Sequence, residues 1–277
     1  MSPDAMPLEA DGVPRPRMYY TEPRRIRVRG LQTAYRRKGP GSPAVLFLHG
    51  AGLTRMWLPF YERMSQHVDF IAPEHPGFGE TPLPEWLRGF DDVVLHYDDL
   101  LDELGVERIH LVGYSLGGWM AAEFACFYPR RLKSLTLITP IGLRIDDPGA
   151  DLFQMPRADL WERLFNDKSA LAAVAPDPGD VEEAIHLYGE STALAKLIWA
   201  PRYNLALERR LQRLPCKALV VRASDDRLIP NRMAERYAEV LPNCSLVEIP
   251  DTGHALVVER PEAVADAILQ HIEGAGR

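Results

Sequence analysis

Arg108-Ile109-His110-Leu111-Val112-Gly113-Tyr114-Ser115-Leu116-Gly117-Gly118 decides how this chain folds. Its first half is an apolar run rich in β-branched and aliphatic residues, which reads as a buried strand. Its continuation, Trp119 to Tyr128, reads as a helix. A serine held between glycines at a strand-to-helix turn exposes its hydroxyl on a sharp, strained corner. Gly113 and Gly117 lack the β-carbons that would collide where strand and helix pack so closely.

A serine hydroxyl is a weak nucleophile until a base takes its proton. Of the eight histidines, His67, His96 and His271 fall in amphipathic helical stretches and read as surface or partly buried. His110 lies in the apolar strand and reads as a satisfied core residue. His254 follows Pro250-Asp251-Thr252-Gly253, directly past the apolar run Ser245 to Ile249. A glycine-containing loop thus carries it beyond a strand, and it is the expected general base. An acid must then orient the imidazole and stabilise the imidazolium. The buried-type run Lys217 to Arg222 leads into Ala223-Ser224-Asp225-Asp226, which leaves two adjacent carboxylates for that role. Asp251 sits too close to His254 to orient its ring and reads as a turn former.

Ser115, acid, His254, each placed after a strand, is an order that resembles the α/β-hydrolase superfamily, from about residue 25 onward. His49-Gly50-Ala51-Gly52, after the strand Ala44 to Leu48, resembles that family's His-Gly oxyanion loop. Pro73-Glu74-His75-Pro76-Gly77-Phe78-Gly79 resembles its Asp-x-Pro-Gly-x-Gly loop, with Glu74 in place of the Asp. Arg260-Pro261-Glu262 resembles the start of its last helix. On the family's acid loop, Gly-x-x-Asp-x-x-Val/Ile-Pro, Asp226 takes the acid position and Ala223 replaces the glycine. Asp225 is left as a solvated turn or capping residue. The resemblance implies that Ser115 attacks a carbonyl carbon, with His254 as base and Asp226 as orienting acid. The backbone N–H groups of Leu116 and Ala51 are the expected oxyanion donors. Gly52 ranks behind them, and His49 is expected as a structural hydrogen-bonder in the loop.

The expected fold is α/β: a mostly parallel eight-stranded sheet flanked by helices, with a helical cap insertion. Strands are expected near 25–29, 32–37, 44–48, 68–72, 108–113, 132–138, 217–223 and 245–249, and the first two are close enough for an antiparallel edge. Helices are expected near 55–66, 91–104, 116–128, 231–241 and 262–273. Residues 1–18 read as a disordered leader, 19–140 with 215–277 as the core, and 141–214 as the cap. Phe153, Met155, Trp161, Leu164, Phe165, Leu187, Tyr188, Leu197, Trp199 and Tyr203 offer the cap an apolar lining. Trp161, Phe165, Trp199 and Tyr203 are the expected pocket residues, following the apolar character of small-molecule sites. Arg144, Arg157, His186 and Arg202 could reach a substrate carboxylate, but each reads first as a surface charge.

Composition narrows the partners. The chain has 277 residues, 46% of them hydrophobic, and a formal charge of −7, which disfavours nucleic acid and anionic membrane. Cys126, Cys216 and Cys244 lack metal-ligand spacing and read as reduced thiols of a cytosolic protein. The first residues lack the apolar core of a signal peptide. No window approaches the about 18 apolar residues of a membrane span. No cofactor or metal is expected, since there is no ligand cluster and no GxGxxG after the early strands. The expected partner is a small-molecule substrate, taken by a monomer or homodimer.

Ser115 argues against the family's dehalogenases and epoxide hydrolases, which place Asp at the nucleophile. A serine hydrolase of a small, largely apolar ester or lactone is the first expectation. Carbon–carbon bond hydrolases of vinylogous 1,5-diketo acids share the triad order and the cap. Here the Gly-Pro-Gly continuation of their His-Gly loop is missing, and Ala255 replaces the tryptophan that follows their histidine. They remain the alternative, and a non-catalytic ligand-binding protein of this fold is the third.

Overall fold

A computed structural model of the chain describes residues 19–147, 149–174 and 181–276. The expected leader, residues 1–18, lies outside them. Eight strands form one sheet: β1 (Arg24–Val28), β2 (Leu31–Lys38), β3 (Ala44–Leu48), β4 (Asp69–Pro73), β5 (Ile109–Tyr114), β6 (Leu132–Ile138), β7 (Lys217–Ala223) and β8 (Cys244–Ile249). Their spatial order is β1-β2-β4-β3-β5-β6-β7-β8. β1 and β2 pair antiparallel, β2 meets β4 antiparallel, and every later pairing is parallel. The strands at the centre read as unbroken apolar runs because both their faces are covered; every residue of β5 is buried. β1, at the edge, alternates and carries exposed arginines.

Helices α1 (Pro59–Ser65), α9 (Leu256–Glu259) and α10 (Pro261–Ala275) close one face, with Phe60, Met64, Val264 and Ile268 against Phe47 and Phe70. On the other face lie α2 (Phe90–Glu103), α3 (Leu116–Phe127), α7 (Leu207–Leu211) and α8 (Asn231–Val240). α2 buries Val93, Val94, Tyr97, Leu100 and Leu101, the stripe that a 3.6-residue period places on one side. α1 starts four residues later than the expected 55–66. Arg55 is left-handed (φ 61°), and Pro59 suits the first turn, where no N–H is needed.

Between β6 and β7 the chain forms α4 (Arg157–Leu164), α5 (Lys168–Val174) and α6 (Val181–Ile198) before reaching α7. Leu207, Leu211 and Leu214 are buried in the core beside α3 and α8. Among the described residues no helix is long and apolar enough to cross a membrane. His96 is buried rather than at the surface, because it falls on the apolar stripe of α2, with Nε2 3.3 Å from the Thr33 hydroxyl. His110 is core as expected but only half satisfied. Nδ1 lies 2.8 Å from the Ser134 hydroxyl, and Nε2 has no partner among the described residues.

Candidate active site

β5 ends at Tyr114, and α3 begins at Leu116, so Ser115 alone makes the turn, at φ 54° and ψ −114°. A non-glycine residue held at positive φ stores strain that its surroundings must hold in place. Here Ser115 N–H donates to Ile138 O at 2.9 Å, and Ser115 O receives Gly118 N–H at 3.0 Å and Ile141 N–H at 3.4 Å. Gly117 lets α3 pack against the end of β3; a β-carbon there would sit 2.1 Å from Leu48 O.

The loops after β7 and β8 bring the expected acid and base to this turn. His254 Nε2 lies 2.9 Å from Ser115 Oγ, and Nδ1 lies 2.7 Å from Asp226 Oδ2. The side chains of His254 and Asp226 are 1% and 2% exposed, which keeps water out of their contact. The other oxygen, Asp226 Oδ1, accepts the N–H groups of Leu228 and Ile229 at 2.9 and 2.8 Å, so the carboxylate cannot rotate away. Tyr114 packs its ring 5.5 Å from the imidazole and donates its hydroxyl to His254 O at 3.2 Å. With Asp226 hydrogen-bonding Nδ1–H, Nε2 is left to accept the serine proton. Asp225 is exposed, and its N–H donates to Thr252 O at 3.0 Å.

The His49–Gly52 loop closes on the serine from β3. Gly50 permits this, since a β-carbon there would lie 3.2 Å from Ser115 Cβ and 2.7 Å from the Tyr114 ring. His49 is structural: its Nδ1 faces Gly50 O at 2.7 Å, and its Nε2 accepts His75 N–H at 3.2 Å. His75 stacks on it at 3.7 Å and reaches His49 O at 2.8 Å, with its own Nδ1 bonded to the Tyr97 hydroxyl. Burial holds His49 neutral, with its pKa lowered to about 4, and lowers that of His75 further still. Neither imidazole is free to act as a second base. The N–H groups of Leu116 and Ala51 donate to no other described residue. The first N–H groups of a helix have no partner within it, and the positive end of α3 faces the same point.

The pocket residues separate. Trp161, on α4, comes within 4.0 Å of where a β-carbon on Gly52 would be, so it overhangs the His-Gly loop. Phe165 is 3% exposed and belongs to the core beneath Trp161. Trp199 does not turn inward: it is 61% exposed and rests on the Phe153 ring. It follows the last residue of α6, and Tyr188 within that helix is exposed as well, at 72%. Tyr203 lines a cavity of about 270 Å³ whose wall is mostly apolar, with Ile141, Phe153 and Met233, but which also holds Arg144, Asp146 and Arg202. That cavity adjoins the site, since Ile141 bonds Ser115 O and Ile229, also in its wall, bonds Asp226. Among the described residues no group of His, Cys, Asp or Glu is arranged to hold a metal ion.

Two buried carboxylates next to these loops escaped the sequence reading. Glu190 of α6 is 5% exposed; it accepts the Thr54 hydroxyl, Gly79 N–H at 3.0 Å and His186 Nε2 at 3.0 Å. Glu259, at the end of α9, is 6% exposed and accepts the N–H groups of Gly253, Asn166 and Asp167, each at 2.6 Å. A lone acid at the end of the apolar run Ala255 to Val258 was the available signal for Glu259.

Comparison with known proteins places the chain among hydrolases of this fold. RutD of Caulobacter segnis, proposed to be a carbamate hydrolase, is 26% identical over 257 residues, covering 85% of this chain and 93% of that one. The 2-hydroxy-6-oxo-2,4-heptadienoate hydrolase of Pseudomonas putida is 26% identical over 253 residues, 83% of this chain and 89% of the relative. Among solved structures, the meta-cleavage product hydrolase of Pseudomonas fluorescens superposes with a TM-score of 0.76 at 22% identity, over 91% of this chain and 98% of that one. The model of the alpha/beta hydrolase family matches residues 45–267, and the chain belongs to that family.

Proposed function

We propose that this α/β-fold hydrolase cleaves a small, largely apolar ester or lactone through an acyl-enzyme on Ser115. The observation that carries the reading is the continuous chain Ser115 Oγ–His254–Asp226, at 2.9 and 2.7 Å. His254 takes the hydroxyl proton as Ser115 Oγ bonds to the substrate carbonyl carbon. The oxyanion so formed is received by Leu116 N–H and Ala51 N–H, with Gly52 in reserve. Collapse breaks the bond to the leaving alkoxide, which leaves with the proton held by His254. Water, activated by the same imidazole, then releases the acid. The mostly apolar cavity beside Ile141 supports an apolar acyl group, and α4–α6 act as a cap over it, with Trp161 above the oxyanion loop. No cofactor is required by this route.

Similarity to the Pseudomonas putida enzyme favours a second reading, hydrolysis of a carbon–carbon bond in a vinylogous 1,5-diketo acid. One experiment separates the two. Wild type and Ser115→Ala are assayed on p-nitrophenyl esters from C2 to C12, on lactones, on a carbamate ester and on a 2-hydroxy-6-oxo-dienoate. Ester turnover that disappears in Ser115→Ala supports the first reading; turnover of the dienoate alone overturns it in favour of the second.

A further inference from the structure

One short corner of the helical insertion is bonded to both loops that carry the acid and the base. On the side of His254, Glu259 spans the gap. Its Oε1 accepts Asn166 N–H and Asp167 N–H, its Oε2 accepts Gly253 N–H, and Ala255 N–H donates to Leu164 O at 2.8 Å. On the side of Asp226, the Arg227 guanidinium donates to Glu162 O at 3.0 Å and to Phe165 O. Residues 162–167, from the end of α4 to the start of α5, therefore hold the residue after the acid and both neighbours of the base.

A buried carboxylate is costly unless charge-assisted donors converge on it. Leu256 and Val257 show that this short helix otherwise packs with apolar side chains. The three N–H groups at 2.6 Å make Glu259 a rigid joint rather than a surface charge. Hydrogen transfer between Ser115, His254 and Asp226 tolerates displacements of only about 0.5 Å. Besides the His254–Asp226 contact, the described residues tie the two loops directly through Ser224 N–H to Ile249 O at 3.1 Å, Asp225 N–H to Thr252 O at 3.0 Å and Thr252 N–H to Ser224 Oγ at 3.4 Å.

We propose that the 162–167 corner is a brace that sets the His254–Asp226 geometry, with Glu259 as its main positioning residue and Arg227 as the second. The proposal rests on the catalytic reading of Ser115, His254 and Asp226. α4 also carries Trp161 over the oxyanion loop, so the helix that meets the substrate is the helix that holds the base.

The test uses Glu259→Gln and Arg227→Met in the full chain. The Gln amide sets a donor against one of the backbone N–H groups, at nearly unchanged volume. The first readout is the low-field proton resonance of His254 Nδ1–H, assigned by its loss in Asp226→Asn. It is expected to be sharp in wild type, broadened by faster exchange in Glu259→Gln, and intermediate in Arg227→Met. The second is kinetic: kcat lowered between about tenfold and a hundredfold in Glu259→Gln with KM within twofold. The groups facing His254 are Asp226, the Ser115 hydroxyl and Tyr114, with Glu259 and Arg227 one residue removed; only the last two are altered. Fluorophosphonate labelling of Ser115 should stay stoichiometric but slow.

An unchanged resonance in folded Glu259→Gln overturns the brace. So does a kinetic loss matched by an equal loss of labelled protein, because that is unfolding. If Glu259→Gln does not fold, a wild-type resonance in Arg227→Met overturns it. A wild type that no fluorophosphonate labels, with the resonance responding as expected, refutes the catalytic reading and leaves the brace standing.

Discussion

Asp226 with His254 and Glu190 with His186 are both buried carboxylate–histidine pairs, yet they are built for different work. Asp226 divides its oxygens, giving one to two backbone N–H groups and the other to the imidazole. Glu190 gathers Thr54, Gly79 and His186 on Oε1, while Oε2 is buried with no partner among the described residues. The first pair joins two loops after separate strands. The second lies within one turn of α6, where i and i+4 meet by helix geometry alone. His254 has a serine hydroxyl on its far nitrogen; among the described residues no hydroxyl or thiol bonds His186. An acid beside a histidine is therefore a joint. In the proposed mechanism it orients a base, where the acid is aimed by backbone donors and a nucleophile stands opposite.

A substitution at each of the two acids breaks or sharpens that contrast. Asp226→Asn should lower kcat by about 10³–10⁴ with little change in melting temperature, because the amide favours the wrong tautomer of His254. Retention of a tenth of wild-type kcat would erase the distinction between the pairs. Glu190→Ala should act the other way. It strands the buried Thr54 hydroxyl and Gly79 N–H, costing about 1–3 kcal/mol of stability. Burial raises the energy of the Glu190 carboxylate, but the bonds from His186, Thr54 and Gly79 outweigh it and lower its pKa, so it is ionised at neutral pH. Urea titration measures the first effect, and kcat on the best ester should change less than the stability does.

How much of this could be read from the sequence follows the same division. The strand before Ser115, the helix after it and the order of the three catalytic candidates were legible. Each rests on short-range signals: an apolar run, glycines at fixed offsets, a loop past a strand. Asp226 against Asp225 was decided by a loop pattern, and the two N–H groups on Oδ1 give its physical reason. Glu190 and Glu259 were not legible, because a buried carboxylate is defined by donors from distant segments. Thr54 is 136 positions from Glu190, and Asn166 is 93 from Glu259. Trp199 failed for the opposite reason. Its apolar character suggested a pocket lining without saying whether it would face inward, and the structure leaves it exposed, as it does Ile185 and Tyr188.

Buried histidines with no carboxylate bonded to the ring among the described residues form a third case, with a smaller effect per pH unit. Burial holds His49 and His96 at about 4, against an ordinary value near 6.5. Between those values the unfolded chain binds protons that the folded chain refuses, so stability falls as pH drops from 6.5 towards 4 and is flat above it. Each group contributes at most about 1.4 kcal/mol per pH unit in that window. Melting temperatures at pH 7.5, 6 and 5 should show the decline, and His96→Gln should lessen it. An equal slope in the variant would place the proton uptake elsewhere.

The smallest expected effect is at Asp225, and it bears most directly on what makes an acid orient the base. Asp225 and Asp226 are neighbours in one turn with the same functional group, so general electrostatics treats them alike. They differ in where the turn sends them. Asp225 uses its N–H on Thr252 O, a bond that survives any side-chain change, and its carboxylate is exposed to water. A solvated charge is screened within about 8–10 Å, so it adds little to the imidazolium. Asp225→Asn should therefore leave kcat within about twofold and stability within about 0.5 kcal/mol. A large loss in Asp225→Asn beside a mild one in Asp226→Asn would mean that the loop rearranges to present the other carboxylate. The backbone N–H groups of Leu228 and Ile229 would then hold a bystander, and aim by backbone donors would cease to mark the catalytic acid.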